Sequence, residues 1–327
     1  GQWAWTNKFI YATYGTFDFT GSYDGPEWVA EASDHGFNNV QMNLGEMGSY
    51  MRTTDGEAQM RARGYGYTIL DPSKLNSIDP DMWFLNDEPE LEELSKGQNV
   101  CGDGLTIPCD QDKYPGTMAT LESVEHAATL RASRPNVPMS VNLDGDLQPY
   151  SFFNWGPSVD ILQTDNYYEP RMRRAYESQP GQIARYNNSR FSYAIGRTIA
   201  AAAEPNPCNH LLYSTAIAGW PWPAWQSKRF EVYYTLAGGS KGIGYWWLVG
   251  SYGMNNSDPD SRLLWKEVGL CGNEIKTARD LIVRSTPIAA TITQTPKVWA
   301  KAVASGIDSM IVYVVNDNYE NKSDGKC

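Results

Sequence analysis

The feature that most constrains this chain is the order of its hydrophobic runs. Short apolar stretches with period-two alternation trade places with longer helix-like stretches from about residue 9 to residue 286. Parallel neighbours in a sheet are joined only through a crossover, usually a helix, so this order predicts a parallel sheet. The strand-like runs are Phe9–Gly15, Asn39–Asn43, Tyr65–Leu70, Met82–Glu88, Pro138–Asp144, Val159–Tyr168, Leu211–Gly219 and Gly242–Val249. A first helix opens at Pro26 and stops at Gly36. Gly56–Arg63, Thr117–Ser133, Ile199–Glu204, Ser227–Ala237 and Trp265–Ile282 follow as helical runs.

Eight strand-helix units fit a (β/α)8 TIM barrel, whose usual size is ~250 residues. A doubly wound open sheet is the alternative, but no Gly-rich phosphate turn follows the first strand, so the dinucleotide fingerprint is missing. The character changes after residue 286. Ile288–Gln294, Lys297–Ala304 and Ser309–Val315 are β-rich runs without helices between them. The expected organisation is therefore a catalytic barrel over 1–286 and a small antiparallel β module over 287–327, the start of a larger sandwich.

Composition narrows the function. The 327 residues are 41% hydrophobic, enough for a large core, and the formal net charge is -11. That balance argues against nucleic acid or an anionic membrane as partner, since both select clustered Lys and Arg. No run approaches the ~20 apolar residues of a membrane span. No signal peptide is seen in this numbering, and for a secreted chain it is expected to have been removed before Gly1. Five cysteines suggest an oxidising, extracellular setting: Cys101 and Cys109 bracket a short loop that suits a local disulfide, and Cys208 with Cys271 is a second expected bridge. Asn187-Asn188-Ser189, Asn255-Asn256-Ser257 and Asn321-Lys322-Ser323 fit the glycosylation pattern. There are only three histidines and no Cys-x-x-Cys pair, so neither a metal nor a cofactor is expected and the chemistry falls to carboxylates.

The acids gather at strand ends. Asp81-Met82-Trp83-Phe84-Leu85-Asn86-Asp87-Glu88-Pro89-Glu90 is a hydrophobic strand running into carboxylates and stopping at a proline that cannot extend a ladder. Alternation sets Met82, Phe84, Asn86 and Glu88 on one face and Trp83, Leu85 and Asp87 on the other. In a barrel of this type the active site lies at the carboxyl ends of the strands. The second strand ends there with Gln41 and Asn43, the fifth with Asn142 and Asp144, and the sixth with Gln163, Asp165 and Tyr167. Aromatic residues collect at the same ends: Tyr167 and Tyr168, Trp220, Trp222 and Trp225, Trp246 and Trp247. As a loop, Trp220–Trp225 would present flat faces on which sugar rings stack; the alternative is a lid folded onto the core.

At these residues the chain resembles the (β/α)8 glycoside hydrolases. The likeness rests on Asn86-Asp87-Glu88-Pro89, the passage from Leu130-Arg131 to Val141-Asn142, Asp165-Asn166-Tyr167-Tyr168, and Ala237–Trp246. It implies a secreted glycosidase with Glu88 as acid/base. The large retaining clan has its nucleophile glutamate at the end of strand seven, whereas Leu211–Gly219 contains no carboxylate. The adjacent Asp-Glu pair is instead similar to families 20 and 123, in which the substrate's 2-acetamido group is the nucleophile. That resemblance gives Asp87 the role of orienting the acetamide. On a plain 2-hydroxyl sugar, Asp144 or Asp165 becomes the second carboxylate, at ~5–5.5 Å for retention or ~6.5–9.5 Å for inversion. Two other classes compete: a carbohydrate-binding protein on a degenerate barrel, and a barrel enzyme with a hard cation among the acids.

Overall fold

The computed structural model describes residues 9–14, 26–42, 53–69, 79–89, 117–144, 151–165, 167, 182–216, 222–223, 225–246, 253–254, 256–290, 292 and 298–316. Its strands are β1 (Ile10–Tyr14), β2 (Asn39–Met42), β3 (Gly66–Ile69), β4 (Met82–Asp87), β5 (Met139–Leu143), β6 (Ile161–Thr164), β7 (Cys208–Tyr213) and β8 (Gly242–Trp246). They pair in parallel in chain order and close through β1 and β8. The expected TIM barrel is the fold. Among the described residues the helices are α1 (Pro26–Asp34), α2 (Thr54–Ala62), α3 (Thr117–Ser133), α4 (Ser151–Trp155), α5 (Gln182–Ala203), α6 (Trp225–Gly238) and α7 (Pro259–Val283).

Local chemistry sets the helix limits. The Thr53 side chain accepts from Gly56 N–H at the start of α2, and Asp258 accepts from Asp260 and Ser261 before Pro259 opens α7. Gly36 stops α1 in the left-handed region, at φ 87°.

Each strand has two buried faces. Outward residues such as Tyr11, Val40, Trp83, Val141, Leu162 and Ile243 form one core with Val29, Ile199, Val232, Leu236, Leu264 and Val268 of the helices. Each such side chain contributes about 1.5–3 kcal/mol by leaving water. The barrel interior changes character with height. Ile10, Ala12, Met82 and Ile161 make an apolar floor. Above it the amides of Gln41 and Gln163 bond each other, so neither buried polar group is left unpaired. Phe84 and Leu211 pack there with Trp246. Leu211 fits because β8 has Gly244 opposite; a Cβ at that glycine would lie 2.2 Å from Leu211 Cδ2.

Three elements differ from expectation. The helix expected at Ile199–Glu204 is α5, which runs for 22 residues. β7 begins at Cys208 rather than Leu211, because Asn209 and His210 are buried within the strand, at 2% and 3% exposure. The C-terminal sheet is antiparallel as expected, in the order β11 (Ser309–Asn316), β10 (Val298–Ser305), β9 (Ser285–Pro287). Its third strand lies before Ile288. Pro287 pairs with Val303 and has no N–H with which to extend the ladder. The sheet packs on the barrel through Trp299, whose ring meets Tyr193 and Tyr234 edge-on.

The Cys208–Cys271 bridge is not formed. Both thiols are free and buried: Cys208 opens β7 with its Sγ towards Gly239 O, while Cys271 on α7 faces Arg229 and Glu267. Cys101, Cys109 and Cys327 lie outside the described residues. No helix is long and apolar enough to cross a membrane among the described residues.

Candidate active site

The end of β4 departs from simple alternation. Trp83 pairs with Met139 and Phe84 with Ser140, but then Asp87, not Asn86, stands opposite Asn142. One extra residue sits in β4 between Phe84 and Asp87. Such a bulge re-aims the side chains that follow it. Asn86 turns back to its own chain, its Oδ1 accepting from Asp87 N–H at 2.8 Å. Asp87 shares a face with Asn142 and accepts from its Nδ2 at 2.9 Å. Glu88 follows in the left-handed region, at φ 46°, its N–H held by Asn142 O at 2.9 Å.

Asp165, just past β6, completes the group and is 4% exposed. The Glu88 and Asp87 carboxylates and the Asn142 amide are its polar neighbours at this end of the barrel. Burial first, then the neighbouring Glu88 and Asp87 carboxylates, push Asp165 well above the ordinary aspartate range. Asn142, fully buried on β5, donates its Nδ2 to Asp87; its Oδ1 and Asp165 Oδ1 are buried without a protein partner. Asp144 is also buried, at 3% exposure, one residue beyond β5. Among the described residues no group of three or more His, Cys, Asp or Glu side chains is arranged to hold a metal ion.

An aromatic cluster stands at the same end of the barrel. Tyr167 stacks on Trp246, with centroids 5.1 Å apart and 17° between planes. Tyr213, the last residue of β7, meets Tyr167 edge-on at 5.6 Å. Tyr213 is not singled out by the sequence, and of the two tryptophans placed at the end of the eighth strand it is Trp246, not the expected Trp247, that the structure shows in this cluster. The signal for Trp246 was present, since Gly242, Gly244 and Trp246 fall on one face by alternation.

The other expected binding residues separate. Gln163 is 1% exposed and committed to Gln41 inside the barrel. Trp222 is half-buried and packs against the main core, while Trp225 is the first residue of α6 and 37% exposed. Asn43, Tyr168, Trp220 and Trp247 lie outside the described residues.

A closed parallel barrel with acids and aromatic rings at the carboxyl ends of its strands belongs to the architecture on which barrel enzymes build their sites. No family model matches the chain. A stretch of 68 residues is 35% identical to Beta-galactosidase BgaB of Geobacillus sp., covering 21% of this chain and 9% of that protein. Among solved structures, the β-galactosidase from the psychrophilic Marinomonas ef1 aligns with a TM-score of 0.56 at 10% identity, over 85% of this chain and 62% of that one. The β-galactosidase from Bacillus circulans sp. alkalophilus aligns at 0.54 and 12% identity, over 86% and 57% respectively. These structural neighbours are TIM-barrel glycoside hydrolases, and at such identity the likeness is one of fold. The chain spans about three fifths of the length of these neighbours.

Proposed function

We propose that the protein is a secreted glycoside hydrolase that cleaves an O-glycosidic bond by carboxylate acid/base catalysis. The observation that carries this reading is the convergence of Asp87, Glu88 and Asp165 at one point on the carboxyl rim. Carboxyls held together cannot all ionise, so one retains a proton for a leaving oxygen while another stays charged. Tyr167 and Trp246 supply flat faces at that end of the barrel for a sugar ring. The extracellular setting rests on the Cys101–Cys109 spacing and the glycosylation triplets.

Within that reading Glu88 is the general acid/base, and Asp87 orients and stabilises a 2-acetamido group acting as internal nucleophile. One fact favours substrate assistance: Leu211–Gly219 has no carboxylate. The missing carboxylate also favours the second reading, a carbohydrate-binding protein on a catalytically degenerate barrel.

A panel of aryl glycosides, paired as 2-acetamido and 2-hydroxyl sugars and run with and without chelator, tests the proposal. Turnover of the acetamido member and inhibition by a thiazoline mimic of the cyclic intermediate are expected. Cleavage of 2-hydroxyl sugars alone would transfer the second role to Asp144 or Asp165, with product stereochemistry distinguishing nucleophile from base. Sugar binding with no turnover on any member would favour the binding protein.

A further inference from the structure

Asn142 meets both of the adjacent acids at the end of β4. Its Nδ2 donates to Asp87 Oδ1 at 2.9 Å, and its main-chain oxygen accepts the Glu88 N–H, also at 2.9 Å. The register explains both bonds: past the bulge Asp87 lies opposite Asn142, and Glu88 follows in the left-handed region. Asn142 is fully buried, and its Oδ1 has no protein partner. A buried acceptor left unpaired costs stability, so the amide burdens the fold where an apolar side chain of similar size would not. What it supplies instead is the donor to Asp87. An ionised carboxylate only accepts, so turning the amide over would set oxygen against oxygen.

The surroundings make that donor matter. β3 ends at Ile69, opposite Trp83, and so stops short of Asp87. The carboxyls around Asp87 among the described residues are Glu88 on its own strand, Asp144 one residue past β5 and Asp165 just past β6. Each disfavours a further ionised neighbour, and the Asn142 amide acts in the opposite sense.

We propose that Asn142 is the positioning residue of the Asp-Glu pair: its amide holds Asp87 ionised and oriented, and its carbonyl fixes the turn that carries Glu88. The inference deepens the glycosidase reading and rests on it only for the work the pair does. In that reading Asp87 must be charged to accept the N–H of a 2-acetamido group, so activity is lost as pH falls through the Asp87 midpoint. Without the donor that midpoint rises, and the loss sets in at higher pH.

Carbon-13 NMR of the full chain, labelled at the aspartate carboxyls, reads the contact without substrate; the signal missing from Asp87→Asn belongs to Asp87. Its titration midpoint should rise by about one pH unit in Asn142→Leu, which removes the donor at similar volume. Asn142→Asp keeps the shape and puts a like charge in place of the donor, and should move the midpoint at least as far; it decides the matter if Asn142→Leu does not fold. A midpoint unmoved by the substitution overturns the proposal. On a glycoside that is turned over, Asn142→Leu should lower kcat/KM ~10-fold on the acid limb, with the loss shrinking as pH rises. An equal loss at every pH would mark a merely structural role and sink the proposal. If the midpoint moves but no glycoside is cleaved, the glycosidase reading fails and the hold of Asn142 on Asp87 stands.

Discussion

The two ends of the barrel bury ionisable groups in opposite ways. On the amino side, His210 and Lys241 stand among scaffold atoms with no like charge acting on them. His210 lies under the helices with Nδ1 3.4 Å from Ser240 Oγ, and burial pushes it down to about 3. Lys241, just before β8, gives its Nζ hydrogens to Ile282 O, Ser285 O and Ser285 Oγ, and burial lowers it to about 8. On the carboxyl side, Asp165 is perturbed by burial and by like charges together. A displaced pKa by itself therefore does not distinguish function from scaffold. What sets the carboxyl end apart is the gathering of like-charged groups around the perturbed one.

The sharpest way to break this comparison is to neutralise one acid at the rim. Glu88→Gln should lower turnover by ~10² or more and leave the fold intact; near-unaltered activity on a substrate with a poor leaving group would remove Glu88 from the mechanism.

At the other end the effect should appear in stability alone. Below pH 6.5 the unfolded chain protonates His210 while the folded chain resists until about 3, so stability falls as pH drops through that window. The slope from this group is about 1.4 kcal/mol per pH unit. Urea midpoints at pH 7 and pH 5 should converge in His210→Asn, and an unchanged slope would show that the group is solvated.

The aromatic residues divide along the same line. Trp222→Ala should lower stability by about 2 kcal/mol through lost packing and leave ligand binding unchanged. Trp246→Ala should weaken sugar binding with a smaller loss of stability. The reverse pattern, read by calorimetry and thermal melts, would exchange the two assignments.

The smallest expected effect concerns the backbone at Glu88. A non-glycine residue in the left-handed region is strained, so Glu88→Gly should be more stable than Glu88→Ala by about 1 kcal/mol. Equal stabilities would mean that the turn at Glu88 carries no strain.

Periodicity made the barrel legible, because eight strands with two buried faces leave eight clear hydrophobic runs. It failed where polar residues are buried or exposed residues are helical. Asn209 and His210 hid the start of β7, and Gln182–Arg190, with two asparagines and little apolar pattern, hid the first half of α5. The acids of the site were visible as residue types at strand ends. Their partners were not: that Asn142 bonds Asp87 and that Gln163 belongs to Gln41 depends on pairing across strands, which no local pattern encodes.

The bulge in β4 has a consequence for how such motifs are read. Facing direction along an extended strand is a matter of parity, odd positions one way and even the other, so two adjacent acids cannot ordinarily serve one substrate. The supernumerary residue before Asp87 flips the parity once, and the left-handed turn at Glu88 flips it again. Consecutive letters are thereby freed from the alternation that would set them on opposite faces. For a strand-end Asp-Glu to present both acids to one side is therefore a statement about the backbone: between the two letters, the extended conformation has to stop.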